Sequence, residues 1–473
     1  MPDAAPNPAD ADVPEGLARP HFIGIGGAGM SGLAKILVLR GARVSGSDAK
    51  ESTAVLALRQ LGADVAVGHD AANLPADADG LVLSSAIRED NPELVEARRR
   101  GLPVRHRSDV LAALMGGRRG LAVAGTHGKT GTTSMLAVAL TGLGLDPSFA
   151  IGGDLNEPGS NGHHGQGEIF VAEADESDRS FHKYAPEAAI VLNVELDHHA
   201  NYASLEEVYE SFEKFVDRIV PGGTLVVSAD DPGARELTSR VRGRAGLHVV
   251  TFGKAEDADV RLLSVDAHGM ASEVSAELDG QRVDFTVAVP GRHNASNATA
   301  ALAAAVALGL PAEQTAKALG SYQGARRRLQ PKGTAAGVQV IDSYAHHPTE
   351  IAADIAAIRD NAAGGRVVVV YQPHLFSRTQ QLGAEMGRAL AAADIAVVLD
   401  IYPAREDPVP GVTSAIVSDA ARAEGGAEVV EEHSMAAVAD RIAAVARPGD
   451  LVLTMGAGDV TFLGPEILAA LEA

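Results

Sequence analysis

Residues 122–134 read AVAGTHGKTGTTS. The apolar run 121–125 reads as a buried strand and the later MLAVALTGLG as helix, so the small polar residues between them form a glycine-rich turn. Such a turn aims successive backbone N–H groups, and the positive end of a helix dipole, at a phosphate. Lys129 then supplies an exposed point charge and Thr130 a hydroxyl for a bound Mg2+. The spacing over residues 125–130 is G-x-x-G-K-T, shorter than the usual phosphate loop, which would have a glycine where Val123 stands.

The same strand–turn–helix rhythm begins upstream, in HFIGIGGAGMSGLAKILVLRGARVSGSDAK over residues 21–50. A strand runs into Gly24, Gly26, Gly27 and Gly29, a helix follows, and a second strand ends at Asp48. Glycines so placed let a backbone approach a pyrophosphate, and an acid about 20 residues on meets a ribose. Further strands are ADVAVG, ending before His69, and GLVLSSAI, which carries Ser84 and Ser85; GGRRG near Gly117 marks a boundary. Downstream of the phosphate loop, IFVAEADESD and AAIVLNVELDHH are strands feeding acidic turns. Carboxyl ends of neighbouring parallel strands share one edge, so Glu173 and His198 are expected near Thr130. The stretches are either a Mg2+ site there or, taken singly, a solvated acidic turn in EADESD and a surface turn in LDHH. GGTLVVSADD adds a strand, residues 259–289 alternate as strands, and PGRHNASNATAALAAAVALG is a turn and an Ala-rich helix. Its Asn294 and Asn297 serve either as caps or as adenine-binding amides. From about Gly324, the strands in GVQVIDSYA, RVVVVYQPH, AVVLDIYPA and DLVLTMGAGD each end in polar residues, among them Asp342, Tyr344, His346, His374, Arg378, Tyr402, Arg405 and Asp459. Polar residues at successive strand ends mark the ligand-facing edge of an open α/β sheet.

Composition narrows the function. The net charge of −22, from 40 basic and 62 acidic residues, argues against a nucleic-acid groove. Arg98, Arg99 and Arg100 read as a solvated helix end, whereas Arg326, Arg327 and Arg328 fall in a turn. No run reaches the roughly 18 apolar residues of a membrane span, so no membrane insertion is expected. There is no cysteine, so the redox compartment is not legible, and MPDAAPNPADADVPEG reads as a disordered leader rather than a signal peptide, which makes cytoplasm the expected location. The expected fold is α/β in three domains after a leader at 1–18: a Rossmann-like domain at 19–117, a central phosphate-loop domain at 118–324 and an open α/β domain at 325–473.

In this order HFIGIGGAGMSGLA, AGTHGKT, EADESD, ELDHH, PGRHNASNATAA, DSYAHHPTE, YQPHLFSRT, DIYPAREDPVPG and MGAGD resemble the Mur ligases of peptidoglycan synthesis, from His21 to about Asp459. The resemblance implies an ATP- and Mg2+-dependent ligase, without NAD, that joins L-alanine to the lactyl carboxylate of UDP-N-acetylmuramate. It further implies that the domain at 325–473 is Rossmann-like, brings the amino acid and closes over ATP. By matched position it assigns Gly125, Thr126, His127, Gly128, Lys129, Thr130, Gly131, Asn294 and Asn297 to ATP, with Arg328, or second Arg327, reaching the transferred phosphate. Thr130, Glu173 and His198 match the metal shell, and Asp342 the acid of the C-terminal domain. Gly24, Gly26, Gly27, Gly29, Asp48, His69, Ser84 and Ser85 match the UDP-sugar site, and Tyr344, His346, His374 and Arg378 the amino-acid pocket.

Three positions depart from the family pattern. Gly131 interrupts a threonine run, Ser343 replaces the second acid of DDY, and Leu375 replaces an arginine able to clamp a carboxylate. Leu375 keeps open a ligase that adds a preformed peptide to the same sugar nucleotide. A nicotinamide-dependent oxidoreductase would explain the N-terminal glycines but leaves AGTHGKT and EADESD unused. A non-catalytic nucleotide-binding regulator would bind ATP without amino-acid-dependent turnover.

Overall fold

A computed structural model describes residues 13–155, 160–197, 201–362, 364–404 and 406–473. His198 and Arg405 lie outside the described residues, as do residues 1–12 of the expected leader. Leu17, near the end of that leader, is buried in the hydrophobic core, so its last residues belong to the fold.

Among the described residues, three sheets carry the fold. The first holds β1 (Pro20–Ile23), β2 (Ser45–Asp48), β3 (Asp64–Val67), β4 (Gly80–Leu83) and β5 (Val104–His106) in the order β3-β2-β1-β4-β5. All its neighbours are parallel. The second comprises β6 (Arg119–Ala124), β7 (Ser148–Ala150), β8 (Gly162–His163), β9 (Ile169–Glu173), β10 (Ala188–Val191), β11 (Thr224–Ser228), β12 (His248–Gly253), β13 (Val260–His268), β14 (Ala271–Leu278) and β15 (Gln281–Val287). Its order is β15-β14-β13-β12-β11-β10-β6-β9-β7-β8. The third contains β16 (Gln330–Ala335), β17 (Val338–Ser343), β18 (Val367–Tyr371), β19 (Ile395–Leu399), β20 (Glu428–Glu432) and β21 (Leu451–Met455) in the order β16-β17-β21-β18-β19-β20. Only β16 is antiparallel there. This is the three-domain α/β class that the sequence announces.

The central strands read as continuous apolar runs because helices cover both faces of a parallel sheet. In β18, VVVVY, every residue is buried. Helices start where side chains satisfy their first N–H groups: Ser52, Asn91, Ser204 and Asp231 each accept from the first turn. Arg98 and Arg99 end the helix Pro92–Arg99 on the surface, where Glu96 accepts from Arg99 and Arg100.

The chain forms two compact units. One runs up to Leu263 and includes Ser275–Phe285 and Ser296–Tyr322; the other combines Ser264–Val274, Thr286–Ala295 and Gln323–Ala473. Among the described residues no helix is long and apolar enough to cross a membrane.

Candidate active site

The phosphate loop leaves β6 at its carboxyl end and enters the helix Lys129–Gly142. Gly125 has φ +138° and Gly128 φ +83°, conformations a side chain resists, and a Cβ on Gly128 would stand 3.0 Å from Asn297 Oδ1. The next strand end clamps the turn: Asn193 Oδ1 accepts from His127 N at 2.7 Å, Asn193 Nδ2 donates to His127 O at 3.1 Å, and Thr126 Oγ1 accepts from Glu195 N at 2.9 Å. Asn193 lies inside the NVELDHH stretch, and its place just past a buried strand was the signal for it. In the register of β6 with β9, Val123 faces Glu173. Thr130 Oγ1 accordingly donates to Glu173 Oε1 at 3.2 Å, while Gly152 N donates to Oε2 at 2.7 Å.

Lys129 is not the exposed contact its motif suggests. Its side chain is 14% exposed, and its Nζ lies 2.8 Å from Oε2 of Glu176, which is 3% exposed. Nζ also donates to Gly125 O at 2.7 Å. Burial opposes the ammonium charge, but Glu176, Asp175 and Glu173 outweigh it and hold the Lys129 pKa above its ordinary value. Gly131 stands in the first helical turn, and a Cβ there would meet only Asn297 Nδ2, at 3.9 Å, so the Cβ of a threonine would fit at this position. Asn297 thus lies beside the loop. Asn294 Nδ2 donates to Pro290 O at 2.7 Å, the local bond of a helix entry.

The first sheet gathers its candidates along one edge. Asp48 Oδ2 accepts from Gly26 N at 2.9 Å, joining the end of β2 to the glycine turn. Gly24 has φ +72°, and Gly27 caps the helix Ala28–Leu39, with Gly29 in its first turn. His69 follows β3, and Ser84 and Ser85 follow β4, at the same carboxyl edge. Arg107, unremarked in the sequence, donates to Asp175 Oδ2 at 2.6 Å and lies against Gly29, where a Cβ would be 3.4 Å from its Nη1.

In the C-terminal unit the expected pocket residues do meet. The rings of Tyr344 and His346 lie 5.4 Å apart, those of His346 and His374 6.0 Å, and His374 stacks on Tyr402 at 5.8 Å. Arg378 Nη1 is 3.4 Å from His374 Nδ1. Leu375 caps the helix Phe376–Leu390 with φ +73°, a strained conformation for a branched side chain. The two arginines differ in role. Arg327 donates to the carbonyls of Gly456 and Gly458, the first at 2.5 Å, whereas Arg328 lies 3.9 Å from Glu350 and 5.3 Å over the Tyr344 ring. Asp342 is fully buried and accepts from Thr454 and Thr461.

Ser343, the substituted second acid, hydrogen-bonds Asp354, whose Oδ1 lies 3.6 Å from His293 Nε2. Burial, reinforced by Glu350 and opposed by the Ser343 hydrogen bond and by Arg328, pushes the Asp354 carboxyl up to about 7. The folded protein then holds a proton that the unfolded chain has lost, so stability falls as pH rises from about 4, and the loss is complete above the folded pKa. Asp354→Asn is expected to raise the unfolding temperature relative to wild type at pH 8 and to leave it unchanged at pH 4. The gain, read by calorimetry, is at most about 4 kcal/mol.

A glycine turn on a helix N-terminus, with a lysine in it and a carboxylate at the neighbouring strand end, defines a nucleotide-dependent α/β enzyme of the phosphate-loop class. The Mur ligase family models match along the chain: the catalytic domain over residues 19–119, the middle domain over 123–305 and the glutamate ligase domain over 327–458. The chain belongs to the Mur ligase family. It is 67% identical to the UDP-N-acetylmuramate–L-alanine ligase of Streptomyces griseus subsp. griseus, over 96% of this chain and 98% of that one. The crystal structure of a UDP-N-acetylmuramate-alanine ligase from Thermotoga maritima superposes with a TM-score of 0.79 at 30% identity, covering 96% of this chain and 99% of that one. A murein peptide ligase from Psychrobacter arcticus shares the fold, with a TM-score of 0.70 at 24% identity over 96% and 99% of the two chains.

Proposed function

We propose that this protein is an ATP-dependent ligase that joins L-alanine to the lactyl carboxylate of UDP-N-acetylmuramate, releasing ADP and phosphate, in peptidoglycan precursor synthesis. The observation that carries it is the glycine turn on a helix start, where Thr130 donates to Glu173 at the neighbouring strand end and the Lys129 ammonium is held beside them by Glu176. The Streptomyces relative, similar over nearly the full length, supports the choice of substrates.

A carboxylate does not react with an amine at neutral pH because its leaving group would be oxide. Transfer of the γ-phosphoryl of ATP to that carboxylate gives an acyl phosphate, whose phosphate can leave when the amine attacks. The backbone N–H groups of residues 128–130, at the start of the helix, and the Lys129 ammonium bind the phosphates and offset the charge of two anionic reactants. The N–H groups of Thr126 and His127 are held by Asn193. The Thr130 hydroxyl and Glu173 carboxylate are the hard oxygen donors that suit Mg2+, which when bound neutralises charge on the transferring group. Arg328 is the arginine we assign to the transferred phosphoryl, since Arg327 is committed to backbone carbonyls. Tyr344, His346, His374 and Arg378 are assigned to the amino acid, with His346 or His374 taking the proton the amine loses.

Phosphate release from ATP, measured with UDP-N-acetylmuramate and each amino acid or a short peptide in turn, tests the reading. Sugar-dependent release fastest with L-alanine supports it, and release with peptide alone moves the protein to the peptide-adding branch. Asp48→Ala is expected to raise the KM for UDP-N-acetylmuramate about tenfold, by loss of one charge-assisted hydrogen bond and of the bond that orders Gly26, with the KM for ATP little changed. Unchanged sugar affinity would remove Asp48 from the site.

A further inference from the structure

Behind the glycine-turn edge of the first sheet lies a polar cluster, buried at Glu93, His21 and Ser47, to which the proposed reaction assigns no step. Its centre is Glu93, which is fully buried although it stands in the first turn of the helix Pro92–Arg99. Oε2 accepts from Ser47 Oγ at 2.6 Å and lies 3.2 Å from His21 Nε2; Oε1 accepts from Asn73 Nδ2 at 2.9 Å and from Asp70 N at 3.2 Å. Burial raises the Glu93 carboxyl, but the bonds from His21, Ser47 and Asn73 outweigh it and bring it down to about 2, so Glu93 is a carboxylate at neutral pH.

A carboxylate only accepts, so Ser47 must give its single hydroxyl proton to Glu93. Ser47 Oγ also lies 2.9 Å from His69 Nδ1, and with its proton already committed it can only accept there. Nδ1 of His69 therefore carries hydrogen, and in the neutral ring Nε2 is the bare acceptor. The side chain of His69 keeps 26% of its surface exposed, enough to meet a ligand.

We propose that Glu93, acting through Ser47, is a positioning residue that fixes His69 as the Nδ1–H tautomer, so that the ring offers Nε2 as an acceptor for a hydrogen-bond donor of the nucleoside, a ribose hydroxyl or the uracil N3–H. The inference rests on the placing of His69 in the UDP-sugar site. The relay makes that edge of the site selective for a donor. With the tautomer reversed, the same ring would present an N–H that repels a uracil N3–H and that a ribose hydroxyl meets only by turning its own proton away and accepting.

The test uses the full-length protein with 15N-labelled histidine. Two-bond 15N–1H correlation spectra at pH 8 are expected to show His69 as Nδ1–H in wild type and in Ser47→Thr, and as Nε2–H or a mixture in Ser47→Ala and Glu93→Gln. In the same variants the KM for UDP-N-acetylmuramate is expected to rise about tenfold in Ser47→Ala, with kcat and the KM for ATP unchanged and Ser47→Thr restoring the wild-type value. Loss of affinity for a 2′-deoxyuridine or an N3-methyluridine analogue, in wild type but not in Ser47→Ala, identifies which donor Nε2 meets. An Nε2–H tautomer in wild type overturns the relay, and a tautomer change with unaltered sugar KM overturns its role in binding. Undiminished sugar affinity in His69→Ala is a separate failure, that of the site assignment itself.

Discussion

Lys129→Ala is expected to lower kcat for sugar- and alanine-dependent phosphate release by about 10^3-fold, the scale on which removal of a charge-stabilising group acts. The same substitution should also cost stability, because the lysine is not a free surface group. Its ammonium neutralises the buried carboxylate of Glu176, 2.8 Å away, and Ala would leave that charge without its cation. Breaking a buried pair by removing one partner costs about 3 kcal/mol. Adding Glu176→Gln to Lys129→Ala separates the effects. The double variant should recover most of the unfolding temperature and none of the turnover, because the amide needs no counter-charge but binds no phosphate. Turnover restored in the double variant would remove Lys129 from the chemistry. A single variant as stable as wild type would show that the pair carries no net stability.

Much of this fold is legible in the chain because parallel strands buried on both faces are near-continuous apolar runs. LAVAG, AAIV, VVVVY and DLVLTM announce themselves, and each is followed by the polar residue that its strand end presents. The strands outside those central runs are less visible. Glu428–Glu432 reads EVVEE and pairs only with β19, so one of its ladders is open and its residues are half-exposed rather than apolar. The two-residue strand Gly162–His163 has no pattern of its own and is defined by antiparallel pairing with β7. Within the candidate site, residues on a motif spacing were legible: Lys129, Thr130, Glu173 and Asp48. What supports them was not. Glu176 reads as one acid in a solvated EADESD turn, Glu93 as one in the charged NPELVEARRR, and only burial distinguishes them from their neighbours. The motif suggested an exposed Lys129 because a phosphate contact is ordinarily drawn without its protein counter-ion.

The acid that resemblance assigns to the C-terminal domain has the same lesson in it, and the larger structural consequence. Asp342 ends β17 fully buried, and both its oxygens are occupied by hydroxyls: Thr454 Oγ1 donates to Oδ1 at 2.9 Å and Thr461 Oγ1 to Oδ2 at 2.7 Å. Lys332 Nζ and Arg327 Nε each lie 3.5 Å from Oδ2. Burial pulls the Arg327 pKa below its ordinary value and Asp342 acts against that, so the carboxylate helps keep charged the guanidinium that holds the carbonyls of Gly456 and Gly458. Asp342→Ala is therefore expected to destabilise the C-terminal unit by about 3 kcal/mol, the cost of leaving two half-buried cations and two hydroxyls without the buried anion that pairs them. Hydrogen exchange should show lost protection in β17 and β21, with the protection of β6 and β10 in the other unit unchanged. Thr461→Val removes one donor and leaves the charges paired, so it should cost only about 1 kcal/mol. Wild-type protection in Asp342→Ala together with lost turnover would reverse the assignment: the carboxylate would then act on the reactants, and the hydroxyls that surround it would be its means of orientation.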